Sequence, residues 1–501
     1  MGWLRKLAAA ALLALSPVAA AAQLPVGEVA FENSGAPAAQ APFLRGLALL
    51  HNFEYATAAT AFREAQAADP GFAMAYWGEA MTFNHPVWME QDRDAGRAAL
   101  ARLGATAAER RARARTERER LYLDAVETLY GEGDKAERDR AYAQLMESLH
   151  NRYPDDVDAR AFYALSLLGL AHHGRDVPLY MRAAALLEAV YPEHRDHPGV
   201  LHYLIHSYDD PTHAPLGLRA ARRYGAVASE AAHAIHMTSH IFLALGLWDD
   251  SAAANRAAMA TGNRQRAAAG RPPAQCGHAV EWLVYSEYQR GGAEAADAQV
   301  ELCRTDALAE LARPAEGAIE PVRSAVRSYA DMAVRRLTET GHWRGAEGLG
   351  LPEGGYLAAR FTFAYGDLLA AGADPARIAA TQARLRAAAA ALRAAGGSGS
   401  SAAARREEIV LMQAAALERL HGGDAEAGLA GLRAAAESER SIPAEFGPPL
   451  VEKPSYELLG DALLRLGRRD EARQAYQAAL ALAPGRRLST HGQAAEESAA
   501  R

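Results

Sequence analysis

A chain of 501 residues is long enough to bury a large core or several, and half of its residues are apolar while only 7% are aromatic. Its 54 basic and 61 acidic side chains leave a formal charge of −7, which gives no reason to look for nucleic acid or an anionic membrane surface as partner. Alanine recurs throughout and favours closely approaching helices, and period-two runs of β-branched residues are absent, so the composition predicts an all-α protein without a sheet.

Residues 1–22 read as a secretory signal peptide. Arg5 and Lys6 precede an apolar run from Leu7 to Ala19, and the small residues Ala20, Ala21 and Ala22 offer a cleavage site before Gln23. The run is too short to span a bilayer comfortably and no later stretch is long enough, so a secreted or periplasmic protein with no membrane span in its mature form is expected. Residues 23–40, rich in Pro, Gly and Ala and without periodicity, are expected to be a flexible leader.

From residue 41 amphipathic helices alternate with short turns, as far as residue 395. Gly46, Ala58, Phe62, Ala65 and Pro70 occupy positions 8, 20, 24, 27 and 32 of a 34-residue unit, and Tyr76 and Phe83 occupy positions 4 and 11 of the next. A charged helix is predicted over 106–130, its mixed-sign run from Glu109 to Arg120 forming a solvated face. Helix pairs follow over 135–190, 198–230, 232–262 and 277–310, and a hairpin at 318–395 fits the repeat less well. A Gly/Ser linker is predicted at 396–404, a C-terminal array at 405–485 and a polar tail at 486–501. In that array Tyr456, Leu459, Gly460, Leu463, Gly467, Ala472, Tyr476, Ala479 and Pro484 fall at positions 4, 7, 8, 11, 15, 20, 24, 27 and 32. Small residues at 8 and 20 let two helices approach, large ones at 4, 11 and 24 fill the gaps, and proline at 32 stops the second helix. The pattern resembles the tetratricopeptide repeat, which implies a right-handed solenoid of antiparallel helix pairs sharing one continuous core.

The histidines follow the same period. His202 and His206 are repeated 34 residues later as His236 and His240. Gly246 and Gly291 at the turn position place His233, His236 and His240 in one unit and His278, Glu281 and Tyr285 in the next. In tetratricopeptide arrays these positions, with His202, His206 and Asp209 before them, line the concave groove; that is what the resemblance implies. Residues four apart on a helix are neighbours, so His202, His206, His236 and His240 can converge on one transition metal such as zinc, copper or iron. Asp209 and Glu281 would complete or orient such a shell. The competing reading makes them groove residues packed on Tyr203, Phe242 and Trp282. His51, His85 and His172 fall near helix turns and read as structural. The segments HYLIHSYDDPTHAPLGLRAA and HAIHMTSHIF are similar to those of secreted bacterial tetratricopeptide proteins with His-rich helix pairs, a resemblance that implies the fold and no particular activity.

Three functions remain open on these residues. The first is a binding scaffold whose groove takes a partner protein, a peptide or a small polar ligand. The second is a metal-binding protein. The third is a metal-dependent enzyme with Asp209 or Glu281 as base and Tyr285 near the substrate, which needs an open coordination position. The two HxxxH pairs lack the glutamate of HExxH, and neither a Gly-rich phosphate loop nor a GxSxG elbow occurs, so the sequence leans away from an enzyme. Cys276, just before one helix, and Cys303, late in its antiparallel partner, lie at the same end of a hairpin and predict a disulfide in an oxidising compartment; the alternative is two free thiols.

Overall fold

The computed structural model describes residues 25–313, 317–396, 401–443 and 446–499. The signal peptide predicted at 1–22 lies outside the described residues.

The chain is a succession of α-helices, nearly all packed on the next, with α6 also packed back on α3. The first hairpin pairs α1 (Pro37–His51) with α2 (Tyr55–Ala68), and α3 (Ala73–Met81) follows. Next come α4 (Arg93–Ala101), α5 (Ala107–Arg113), α6 (Glu117–Leu129), α7 (Lys135–Arg152), α8 (Val157–Leu168) and α9 (Val177–Glu188). The middle of the array is α10 (Pro198–Ser207), α11 (Ala214–Val227), α12 (Ala232–Ala244), α13 (Trp248–Ala268), α14 (His278–Gln289) and α15 (Ala293–Leu311). It continues through α16 (Ala325–Thr340), α17 (Leu357–Ala370), α18 (Pro375–Ala394), α19 (Ser401–His421) and α20 (Ala425–Arg440), and ends in α21 (Ser455–Arg465), α22 (Arg469–Leu482) and α23 (Arg487–Ala499).

The small and large positions of the repeat do what the spacing requires. A Cβ at Gly46 would stand 2.9 Å from the Phe62 ring, and one at Gly460 would stand 2.8 Å from the Tyr476 ring. These glycines therefore hold their helix pairs at ring-thickness separation. Gly246 turns α12 into α13 with φ 69°, a conformation that favours glycine.

Several local expectations are corrected. The helix predicted at 106–130 is two helices, because Thr116 and Glu119 form a capping box that starts α6 after Ala114. The regions 135–190 and 318–395 each hold three helices. Asn84–His85 and Glu90–Gln91 form a two-residue antiparallel ladder, β1 with β2, around a 3-10 turn at Pro86–Trp88. Residues 401–404 of the linker are the first turn of α19. The flexible leader is packed instead: Val26 and Phe31 are 5% exposed, and Phe31 sits against Phe43, Trp77 and Tyr122. The polar tail is helical from Arg487, and Arg486 is fully buried.

Both ends return to the middle of the array. The leader backbone is bonded to Asp196 and Glu230, α1 packs against α10, and Asn52 Nδ2 donates to the Val26 carbonyl. At the other end Trp248 Nε1 donates to the Gly485 carbonyl at 3.0 Å, and Arg486 pairs with Glu457 at 2.7 Å and Glu339 at 2.8 Å. The core is not continuous: one apolar cluster runs from Val26 to Ala244, two others occupy 280–363 and 334–476, and the histidines lie at the seam beside Leu243, Trp282 and Tyr285.

Candidate metal centre

The geometry begins with three helix starts. Pro198 opens α10 with His197 as its N-cap, which sets His202 and His206 one turn apart on the face toward α1. α12 carries His233, His236 and His240, and α14 starts at His278 after Gly277, whose φ is 107°. Phe53, left-handed at φ 57° in the turn after α1, places its ring 4.3 Å from His202, 5.9 Å from His206 and 5.6 Å from His233, centroid to centroid.

The predicted set of four histidines does not converge on one metal position but divides between two triads. His202, His206 and His233 form one and His236, His240 and His278 the other; within each, the three nitrogens lie within 4.8 Å of one another. The triads touch: the His206 and His240 rings are 6.0 Å apart and the His233 and His236 rings 6.2 Å. Five of the six are enclosed to some degree, and His278 is open to solvent at the rim.

Hydrogen bonds orient the rings. His202 Nδ1 donates to the His51 carbonyl at 2.6 Å, and His240 Nδ1 donates to Asp209 Oδ2 at 2.5 Å. His236 Nδ1 lies 2.6 Å from Asn255 Oδ1, while Asn255 Nδ2 donates to the Ser251 carbonyl at 2.9 Å and so fixes the amide with its oxygen toward the ring. Each partner atom can only accept, which assigns the proton to Nδ1 and leaves a lone pair on Nε2. Yet His236 Nε2 and His240 Nε2 face each other at 3.2 Å. With the proton of each ring on Nδ1 the two Nε2 lone pairs oppose each other, an arrangement that a cation bound between them would relieve. Their separation is close to the roughly 3.3 Å between two nitrogens of a tetrahedral ion with bonds of about 2.0–2.1 Å. Among the described residues, Nε2 of His202, His206 and His233 is likewise buried without a hydrogen-bond partner.

The electrostatics favour the neutral form in four of these rings. Burial, reinforced by neighbouring imidazoles, holds His202, His206, His233 and His236 well below the usual histidine range. A neutral ring with Nδ1–H anchored is the form that ligates a metal. Aromatic rings wall the triads: Phe53 and Trp88 stand over His233, and Trp282 lies 4.2 Å from His240 and 4.9 Å from His236, with Phe446 5.4 Å from His240.

Not every predicted residue belongs. Asp209 orients His240. Glu281 turns away to hydrogen bond Ser328, and burial beside Asp331 raises its carboxyl to about 7. Tyr285 faces Arg486, whose Nη1 is 3.3 Å from its hydroxyl. Ser328 on α16 and Arg486, just before α23, draw these two side chains away from the imidazoles. The groove reading also changes, since His202, His206, Asp209, His236, His240 and Tyr285 are all at most 3% exposed. Trp282, expected as a packing partner of the histidines, is one, whereas Asn255 and Phe446 were not among the predicted ligands or their supports; Asn255 lies on α13, which faces α12, the one sequence signal that could have found it.

A third cluster is satisfied internally. His51 Nε2 is 2.9 Å from Asp158 Oδ1, its Nδ1 is 2.9 Å from the Tyr203 hydroxyl, and His197 Nε2 shares Asp158 at 3.3 Å. This buried network braces α1, α8 and α10 and carries the carbonyl that orients His202, so His51 is structural. His85 stacks on Tyr55 with ring centroids 4.0 Å apart, and His172 lies 3.1 Å from Asp139. The Cys276–Cys303 disulfide is formed, with Cα atoms 4.8 Å apart.

Residues 454–486 match the tetratricopeptide repeat family. No curated protein sequence matches the chain. Similar solved structures include the APC/C hetero-tetramer Cut9–Hcn1, 10% identical with a TM-score of 0.34, covering 93% of this chain and 78% of that one. The TPR domain of P58(IPK) is 12% identical with a TM-score of 0.22 and coverage of 92% and 97%. Yeast Tom70 is 11% identical with a TM-score of 0.26 and coverage of 92% and 95%. The C-terminal hairpin of α21 with α22 thus matches a tetratricopeptide repeat, in a fold that is all-α but for one two-residue ladder among the described residues.

Proposed function

We propose that this is a transition-metal-binding helical-repeat protein of the secretory route, with one ion held by each histidine triad. The observation that carries the reading is the 3.2 Å approach of His236 Nε2 to His240 Nε2 while both Nδ1 atoms are committed to Asn255 and Asp209. Neutral imidazole suits zinc, copper and iron. The solvent-open side at His278 leaves room for an exogenous ligand beside the second ion. Secretion is supported by the sequence of residues 1–22 and by the disulfide, which suits an oxidising compartment.

The repeat array keeps a second, coarser role. Tetratricopeptide repeats generally bind protein partners, and among the described residues no helix is long and apolar enough to cross a membrane. The buried histidines favour the metal as their own ligand. The test is a competition titration of chelator-stripped, untagged protein against a chromophoric zinc chelator. Two tight equivalents are expected, falling to one in either His206→Ala or His240→Ala and to none in the double variant. Wild-type protein that leaves the chelator fully loaded would refute the proposal.

A further inference from the structure

Resting on that reading, we infer that the two triads form one dinuclear site, that its metal is copper, and that a small bridging anion such as hydroxide or azide is its ligand.

The sharing of α12 argues for one site. His233 serves the first triad while His236 and His240, three and seven residues on, serve the second. Side chains three apart on a helix have Cβ atoms about 5–6 Å apart, so the two ions stand within bridging reach of one small ligand. The 6.0 Å and 6.2 Å ring contacts between triads leave no layer of protein between them.

Charge argues for copper and an anion. All six donors are imidazole nitrogens, with neither thiolate nor carboxylate among them. Two divalent ions would bring four positive charges into this pocket. The carboxylates facing it are few: Asp209 bonds His240, Glu54 accepts from the His233 backbone N–H at 3.0 Å, and Asp210 is paired with Arg175 and His213. Arg175 also donates to the carbonyls of His206 and Ser207, and the positive charge of Arg323 acts on His233 and His278. Buried charge must be compensated. A bridging anion lowers the total, and copper alone among zinc, copper and iron also has a stable monovalent form that halves it. Copper heads the affinity order for such nitrogen sites.

The experiment loads the stripped full chain with Cu(II), counts total copper and Cu(I) separately, and integrates the electron paramagnetic resonance signal before and after azide. The expected result is two coppers per chain, almost no Cu(I), a signal far below one spin per chain from antiferromagnetic coupling, and a charge-transfer band with azide. His206→Ala, or the closer isostere His206→Gln should the first fail to fold, is expected to hold one copper with a full one-spin signal. Two coppers giving two full spins would overturn the dinuclear inference, as would a single copper in the wild type. Two tight zinc ions with loose copper would overturn the metal assignment alone, and a chain that holds neither metal would overturn the proposed function itself.

Discussion

Replacing Asp209 tests how much of the second triad's affinity comes from orientation. Its carboxylate is 2% exposed and accepts from His240 Nδ1 at 2.5 Å. A hydrogen bond to a charged group contributes about 1.5–3 kcal/mol, and the bond tightens when a cation on Nε2 makes Nδ1–H more acidic. Asp209→Asn keeps an acceptor and loses the charge, so roughly tenfold weaker binding is expected, about 1.4 kcal/mol. Asp209→Ala also strands a buried N–H and lets the ring rotate, so the loss grows to roughly 100-fold. The first triad takes its orientation from His51 and is expected to keep its affinity. A two-site zinc competition titration separates the equivalents, and circular dichroism controls for folding. Unchanged affinity of both equivalents in Asp209→Ala, with the fold intact, would refute the orienting role.

The remaining predictions concern the frame that holds the site. Reducing the Cys276–Cys303 disulfide, or changing Cys303 to Ala, opens a loop of sequence separation 27 and is expected to cost about 3–4 kcal/mol on the chain-entropy argument, read by urea denaturation with and without reductant. Arg486→Met leaves the buried carboxylates of Glu457 and Glu339 without their shared cation; a loss of about 3–5 kcal/mol is expected, and a melting temperature equal to wild type would show that the C-terminal clasp is idle. Acid should loosen the same clasp: burial opposes the Glu457 charge, but Arg486 and Lys453 outweigh it and hold the carboxyl well below its ordinary 4.5. The unfolded chain therefore takes up the proton first, so this contribution is full above about pH 4.5 and declines as pH falls below it, and the pH slope of stability there should flatten in Glu457→Gln.

Short-range pattern explains what was legible in the sequence. Gly460 and Tyr476 are 16 residues apart and report one hairpin, so spacing alone finds α21 and α22. The 34-residue offset likewise finds two adjacent helices with matching histidine faces, and the Cys276–Cys303 pair follows from hairpin geometry. The division into triads was hidden because it depends on which neighbour each ring meets. The His51 carbonyl, 151 residues before His202, and the Phe53 ring come from the end of α1 and the turn after it, brought in when α1 packs on α10. Val26 and Phe31 escaped notice because an extended segment buries residues without helical period, and Arg486 because a cation after a proline looks solvated until Glu457 and Glu339 close around it. Glu281 and Tyr285 share the groove register, but Ser328 and Arg486, both beyond the unit, decide where they point.

X-ray absorption at the metal edge of the loaded protein tests the central claim most directly, because it gives the type and mean number of ligands per ion. The account predicts a first shell of nitrogen and oxygen only, with multiple scattering from three imidazoles per metal in the wild type and unchanged imidazole number at the surviving ion of His206→Ala. A sulfur shell, or fewer than two imidazoles per metal, would contradict it.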